Sequence, residues 1–252
     1  ETAPQFPEIS REQLDGLLGD MQRRYARRGS GKGALNKMRA YAAVCLGNDD
    51  ALEQAIAGWK AAPRDALSDC HACDIDTEVG FLLWLGKDDM AIQGAHNIVR
   101  RNMACSEVPA LTYARALPAL LRTGDVETAQ SWHRRGYPML KRLRKKVVGN
   151  AGEHLAYCAV TGETARGMRI LRETLPLAAE HPLAFAQLTF LAGAYLVLER
   201  VGRGKDRIAL KLPEAFGGSG SSEKHAAGTL GDALLDRARG IAARFDHRND
   251  NT

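Results

Sequence analysis

The chain of 252 residues carries 35 Lys and Arg against 30 Asp and Glu, a formal net charge of +5, with 45% hydrophobic and 6% aromatic residues. That length suffices for one long or two short domains with a sizeable core, and the composition argues against a disordered, collagen-like or disulfide-stapled chain. Scarce aromatics beside abundant Ala, Leu and Arg favour helix over strand.

The opening ETAPQFPEIS has no initiator Met and no charged-then-apolar leader, so it reads as an internal stretch of a longer polypeptide. Helical patterns follow at roughly 9–28, 33–46, 49–62, 75–85, 88–102, 109–122, 125–146, 150–160, 163–179 and 182–201. GSGKG (29–33) lacks the full spacing and the preceding strand of a phosphate loop and serves to join two helices. No apolar run is expected to reach the length of a membrane span. IALKL (208–212) suits a short extended piece, and GGSGSS (217–222) is flexible by composition. Beyond it Leu230, Leu234, Leu235, Ala238, Ile241, Ala242 and Phe245 share one face of a last amphipathic helix. The expected division is a helical repeat domain over 1–204, a linker or loop over 205–224, and a capping helix with its tail over 225–252.

A recurring phrase organises the chain: LGNDDAL, LGKDDMA, TGDVETA and TGETARG, with glycines at 47, 86, 124 and 162 and a weaker instance at Gly202. The spacings are 39, 38, 38 and 40 residues, the range of stacked helix pairs. An apolar helix end precedes each glycine; the glycine supplies a left-handed cap, and Asn, Asp or Glu begins the next helix. Five residues past the glycine stand Leu52, Ala91, Ala129 and Gly167, mostly small, where two helices would cross closely. Four residues before it stand Ala43, Leu82, Leu120, Cys158 and Leu198, one buried register that makes Cys158 a core residue. The fold class this predicts is all-α: a superhelical solenoid of antiparallel helix pairs closed by a C-terminal capping helix.

The helix–Gly–acidic–helix phrase with a small residue five positions on resembles the tetratricopeptide-repeat family. The units run four to five residues longer than that family's usual period of about 34, and several signature aromatics are absent, so the likeness is to a divergent member. FPEIS, MQRRYARRG, GWKAAPRDALSDCHACD, CSEVP, HRRGYPMLKR, YCAVTGETARGMRIL, LPEAF and AARFDHRN are similar to stretches of a group of large actinobacterial tetratricopeptide proteins. The resemblance implies a bacterial repeat scaffold for protein–protein interaction rather than a reaction.

Cys70 and Cys73, in LSDCHACDID, lie in the connection between two helix pairs, and Cys105 lies in the next such connection. Successive connections of a solenoid stack about 10 Å apart, which would bring three thiols to one edge. Zinc takes four ligands in a tetrahedron, and a C-x2-C turn supplies two of them. Cys70, Cys73 and Cys105 are therefore candidate ligands of a structural zinc, with His71, Asp69, Asp74, Glu107 or a water as fourth. The alternatives are three reduced thiols without chemistry and a disulfide of Cys105 with one of the pair. Thiol redox catalysis would want a preceding strand and less acidic neighbours than Asp69, Asp74 and Asp76.

No nucleophile elbow or H-E-x-x-H pattern occurs, His133 and His154 suit core positions, and no enzyme is expected. Counting from the repeat glycines, Lys37, Tyr41, Arg115, Arg122, Glu153 and Arg200 are candidates to line a concave groove, which would suit an acidic peptide or protein partner. The basic clusters RRYARR (23–28) and HRRGYPMLKRLRKK (133–146), the latter with seven Lys or Arg in fourteen residues, raise the alternative of a nucleic-acid-associated regulator using helix 133–146. Five cysteines without scaffold spacing fit a reducing interior, so the expected compartment is the cytoplasm, with no membrane partner.

Overall fold

The computed structural model describes residues 2–143, 147–203 and 207–251. They form a mostly helical fold of packed helix pairs in two compact units. Unit 1 comprises residues 1–105 with 243–252, and unit 2 comprises residues 106–242. Unit 1 holds α1 (Arg11–Arg28), α2 (Lys32–Leu46), α3 (Asp49–Ala61), α4 (His71–Trp84) and α5 (Asp88–Arg100). Unit 2 holds α6 (Ala110–Arg122), α7 (Val126–Lys141), α8 (Val147–Thr161), α9 (Thr164–Ala179) and α10 (Ala184–Gly202). A hairpin of β1 (Arg207–Lys211) and β2 (Ser222–Ala226) follows, and then α11 (Ala227–Asn249), whose last turns belong to unit 1.

The repeat glycines do what the phrase predicts. Gly47, Gly86, Gly124 and Gly162 adopt φ of 65°, 68°, 83° and 78°, the left-handed region a side chain resists. At three of them the next residue's N–H reaches back to the buried register: Asn48 to the Ala43 carbonyl at 3.0 Å, Lys87 to Leu82 at 2.9 Å, Asp125 to Leu120 at 2.9 Å. The freed carbonyls at the helix end are thereby satisfied and the chain reverses. Asn48 and Asp125 then cap the following helix, their side chains accepting from Ala51 N at 3.0 Å and Thr128 N at 3.1 Å. The pairs so made are α2–α3, α4–α5, α6–α7 and α8–α9, and the first helix of one pair lies on the first of the next: α2 on α4 in unit 1, α6 on α8 in unit 2.

Small residues set how closely helices approach. In unit 1, Ala40, Ala43, Leu52, Ala55 and Phe81 form the core, with Tyr41 and Trp59 edge-on to Phe81 at 5.0 and 6.1 Å. In unit 2, α8 and α10 meet through glycine. A Cβ at Gly193 would stand 2.3 Å from the Gly152 carbonyl oxygen, and one at Gly152 would stand 2.4 Å from that of Thr189. α10 is also long and apolar enough to cross a membrane by length and composition, which corrects the expectation drawn from the sequence; in this fold it packs against α8.

The main departures from the sequence pattern fall at α4, α7 and the expected linker. α4 begins at His71 rather than near 75, because Cys70 acts as its N-cap. α7 ends at Lys141, and residues 144–146 of the expected basic helix lie outside the described residues, as do 204–206 at the start of the expected linker. The remainder of 205–224 carries β1, a short 3-10 turn at Glu214–Phe216 and the start of β2, paired antiparallel with Arg207 opposite Ala226 and Lys211 opposite Ser222. β1 alternates, burying Ile208 and Leu210, while β2 stays largely exposed. On α11, Leu230, Leu234, Ala238, Ile241 and Phe245 are buried along one face.

Gly193→Ala is expected to lower stability by about 1–3 kcal/mol or more through overpacking at the α8–α10 contact. Gly240→Ala, whose Cβ would point into open space on α11, should raise it by about 0.5–1 kcal/mol. Chemical denaturation of both variants beside the parent checks the contrast.

Candidate metal centre

Unit 1 brings Cys70, Cys73 and Cys105 together: their Sγ atoms all lie within 4.8 Å of one another, with Cys73 and Cys105 at 3.2 Å. The local fold explains the first two. Cys70 sits in extended backbone before α4 and its Sγ accepts the Cys73 N–H at 3.4 Å, so a sulfur occupies the capping position that Ser or Asp usually holds. One turn of helix then sets Cys73 beside it. Cys105 comes from the segment after α5, thirty-two residues on, through the packing of α4 against α5.

Four sulfurs at about 2.3 Å from a tetrahedral zinc stand roughly 3.8 Å apart, a spacing within reach of three sulfurs that all lie within 4.8 Å of one another. Cys70 and Cys105 are exposed and Cys73 half-buried, so the cluster is open on one side to an entering ion. Burial, and then the Cys105 and Cys70 sulfurs, push the Cys73 thiol well above its ordinary range. A raised Cys73 thiol is the opposite of what a redox nucleophile needs.

The carboxylates on either side are engaged elsewhere. Lys37, 4% exposed, reaches from α2 to Asp69 at 2.5 Å and Asp74 at 3.1 Å, and lies 5.1 Å from the centroid of the Trp59 ring. Arg64 also pairs with Asp74 and donates to the Asp69 carbonyl. Burial pulls the Lys37 ammonium toward neutrality, but the hydrogen bonds it donates to Asp69 and Asp74 outweigh it and leave its pKa above the ordinary value. The connection leading into Cys70 is therefore tied to α2 by a buried cation. Of the sequence-derived fourth ligands, Asp69 and Asp74 belong to this network, and His71 is an exposed residue at the start of α4.

The candidate groove residues divide. Lys37 is buried in the network just described, and Tyr41 is half-buried, its hydroxyl 3.2 Å from Thr77 Oγ1. A cleft of about 150 Å³ beside Lys37 is lined by Tyr25, Met38, Trp59 and Leu67. In unit 2, Arg115 and Arg122 of α6 face Glu153 of α8: burial pushes that carboxyl up to about 7 while the two guanidiniums pull it back. Arg200 is exposed on α10. Arg134, Arg135 and Arg142 of the basic segment are exposed, and Lys141 pairs with Glu173 at 3.1 Å.

One group was not singled out in the sequence. His133 Nδ1 lies 2.9 Å from His154 Nδ1, and His133 Nε2 lies 3.7 Å from Cys158 Sγ, all three residues fully buried in unit 2. The sequence signal for it is a polar residue in two repeat registers that are otherwise apolar. No protein-family model, curated protein or solved structure matches the chain.

Replacing both Lys37 partners, Asp69→Asn with Asp74→Asn, leaves an ammonium buried without a counter-charge and should cost about 3 kcal/mol or more. Lys37→Met, which removes the buried charge itself and leaves Asp69 half exposed, should cost clearly less. Thermal melts of the two variants at neutral pH decide the order.

Proposed function

We propose that the chain is a non-catalytic protein–protein interaction scaffold, a divergent tetratricopeptide-type solenoid, with a structural zinc bound by Cys70, Cys73 and Cys105. The observation that carries this reading is the fourfold helix–left-handed glycine–helix unit at a spacing of 38–39 residues, with first helices stacked on one another within each unit. Repeats so built expose long helical faces and suit the capture of an extended partner. The thiol cluster supports the zinc reading because it joins the start of α4 to the segment after α5, two parts of the chain that no disulfide links. Five free cysteines support placement in a reducing compartment such as the cytoplasm.

The partner favoured by the exposed charge is an acidic peptide. Lys37 is withdrawn from any such surface by its burial, so the cationic contribution falls to Arg115, Arg122 and Arg200. Glu153 beside the first two would limit binding to partners that offer more negative charge than it does.

Two measurements test the reading. Protein purified under reducing conditions is expected to lose one equivalent of zinc, and several degrees of melting temperature, in the Cys70→Ser, Cys73→Ser variant; an unchanged metal content would remove the zinc. Anisotropy titration with an acidic peptide should show affinity weakening less than about tenfold between 50 and 200 mM salt, whereas a nucleic-acid ligand gripped through six to ten phosphates would lose about 10³–10⁵. A fall of the second size, with duplex DNA or RNA as the better ligand, would transfer the function to the basic segment around Arg134, Arg135 and Arg142.

A further inference from the structure

The repeat register shows where unit 2 departs from its own rule. Nine residues past the repeat glycines stand Ile56, Ala95, His133 and Leu171; four residues before them stand Ala43, Leu82, Leu120 and Cys158. Every other member of these sets is an apolar packing residue, and Ala95, Leu120 and Leu171 are as fully buried as His133 and Cys158. A histidine and a cysteine have therefore been set where the architecture is satisfied by Ala or Leu, and His154 is buried beside them.

The hydrogen bonds of the cluster do not justify that placement. The His133–His154 contact uses one proton for two nitrogens, Cys158 offers His133 Nε2 only a weak sulfur partner at 3.7 Å, and His154 Nε2 is buried with no partner at all. A buried polar atom left this way costs about 1–3 kcal/mol, which an aliphatic side chain would avoid.

The donor geometry supplies a reason. His133 Nε2, Cys158 Sγ and a Glu163 carboxylate oxygen all lie within 4.8 Å of one another, contributed by α7, α8 and the residue that precedes α9. A tetrahedral zinc with bonds of about 2.3 Å to sulfur and 2.0–2.1 Å to nitrogen sets those two atoms roughly 3.6 Å apart, against 3.7 Å here. We propose that His133, Cys158 and Glu163 form a second site, with two donors buried and the carboxylate half-buried, for a divalent transition-metal ion of the zinc class, clamping α7, α8 and the start of α9.

The surroundings take ordinary roles around such an ion. With Nε2 on the metal, the His133 proton resides on Nδ1 and is donated to His154 Nδ1 at 2.9 Å, which fixes the ligand's tautomer and ring plane. Tyr157 stacks on the His133 ring at 4.3 Å, and its hydroxyl donates to Glu163 at 3.3 Å. Arg166 donates to the other Glu163 oxygen at 3.2 Å. A carboxylate has about four lone-pair positions, so both bonds leave one for the metal. Binding releases the Cys158 thiol proton to solvent, and thiolate plus carboxylate then balance a dication. Three protein donors leave a tetrahedral ion one further position.

The test uses the full chain with Cys70→Ser, Cys73→Ser and Cys105→Ser, so that the exposed thiols are silent. Anaerobic titration with Co²⁺ is expected to give one bound cobalt, a thiolate-to-cobalt charge-transfer band, and loss of both on adding Zn²⁺. His133→Leu and Cys158→Leu, which restore the register's apolar residue, should each abolish the band while retaining the helical circular dichroism. No bound cobalt in the triple-serine protein, or a band that survives Cys158→Leu, overturns the site. The parent chain gives an independent count that needs no serine background: it should bind one more cobalt than either leucine variant, and equal counts overturn the site as well.

Discussion

A left-handed residue at the end of each pair's first helix is the constraint from which the rest of this fold follows. Only glycine takes φ near +70° without strain, and here it recurs at nearly constant spacing, each time after an apolar helix end and before a polar residue that caps the next helix by side chain at Asn48 and Asp125. The reversal happens at the same phase in every unit, so a position that is core in one pair is core in the next. Two kinds of place then become special. The connection into α4 and the segment after α5 meet within unit 1; core registers become strict, so that a polar residue in one of them stands out.

The two cysteine-bearing clusters occupy these two places and differ accordingly. Cys70, Cys73 and Cys105 lie in connections, accessible, and their geometry depends on a network one layer further in. A buried ammonium needs counter-charge, and Lys37 takes it from Asp69 and Asp74, which flank the cysteine pair in sequence. The ion pair thus acts on the thiols through the backbone that carries them. His133, Cys158 and Glu163 come from one helix pair and its neighbour, the first two fully buried with aromatic rings packed around the histidines and Glu163 half-buried at the rim.

Much of the helical layout was legible because glycine and capping residues are local signals: helices at 49–61, 110–122 and 164–179 fall within two residues of where the phrase places them. The nearness of Cys105 to the C-x2-C pair was legible too, since constant spacing turns sequence distance into neighbouring position. Cys70 was missed as a helix cap because sulfur rarely fills that role, so the start of α4 looked like loop. Lys37 was assigned to a surface because its register fits one, and nothing local shows that two aspartates thirty-odd residues away fold over it. His133 and His154 are 21 residues apart on different helices, and only the packing of α7 on α8 makes them a pair. The hairpin was half visible: IALK alternates, but SEKHA pairs through its backbone with side chains largely in solvent.

Unit 1 is not contiguous in the chain. Arg248, at the far end of α11, donates to the Cys45 carbonyl at 2.5 Å, to that of Pro4 at 2.8 Å and to that of Phe6 at 3.2 Å, and Asn249 adds a bond to Cys45 at 3.0 Å. These contacts neutralise the end of α2 and join residues more than two hundred positions apart. During synthesis α1 to α5 therefore emerge long before the segment that completes them. At about 5–20 residues per second, the first-made segment of unit 1 waits roughly seven to thirty seconds for its closing piece. The vulnerable interval belongs to the α1–α5 segment of unit 1, and chaperone capture or early misassociation would act there first.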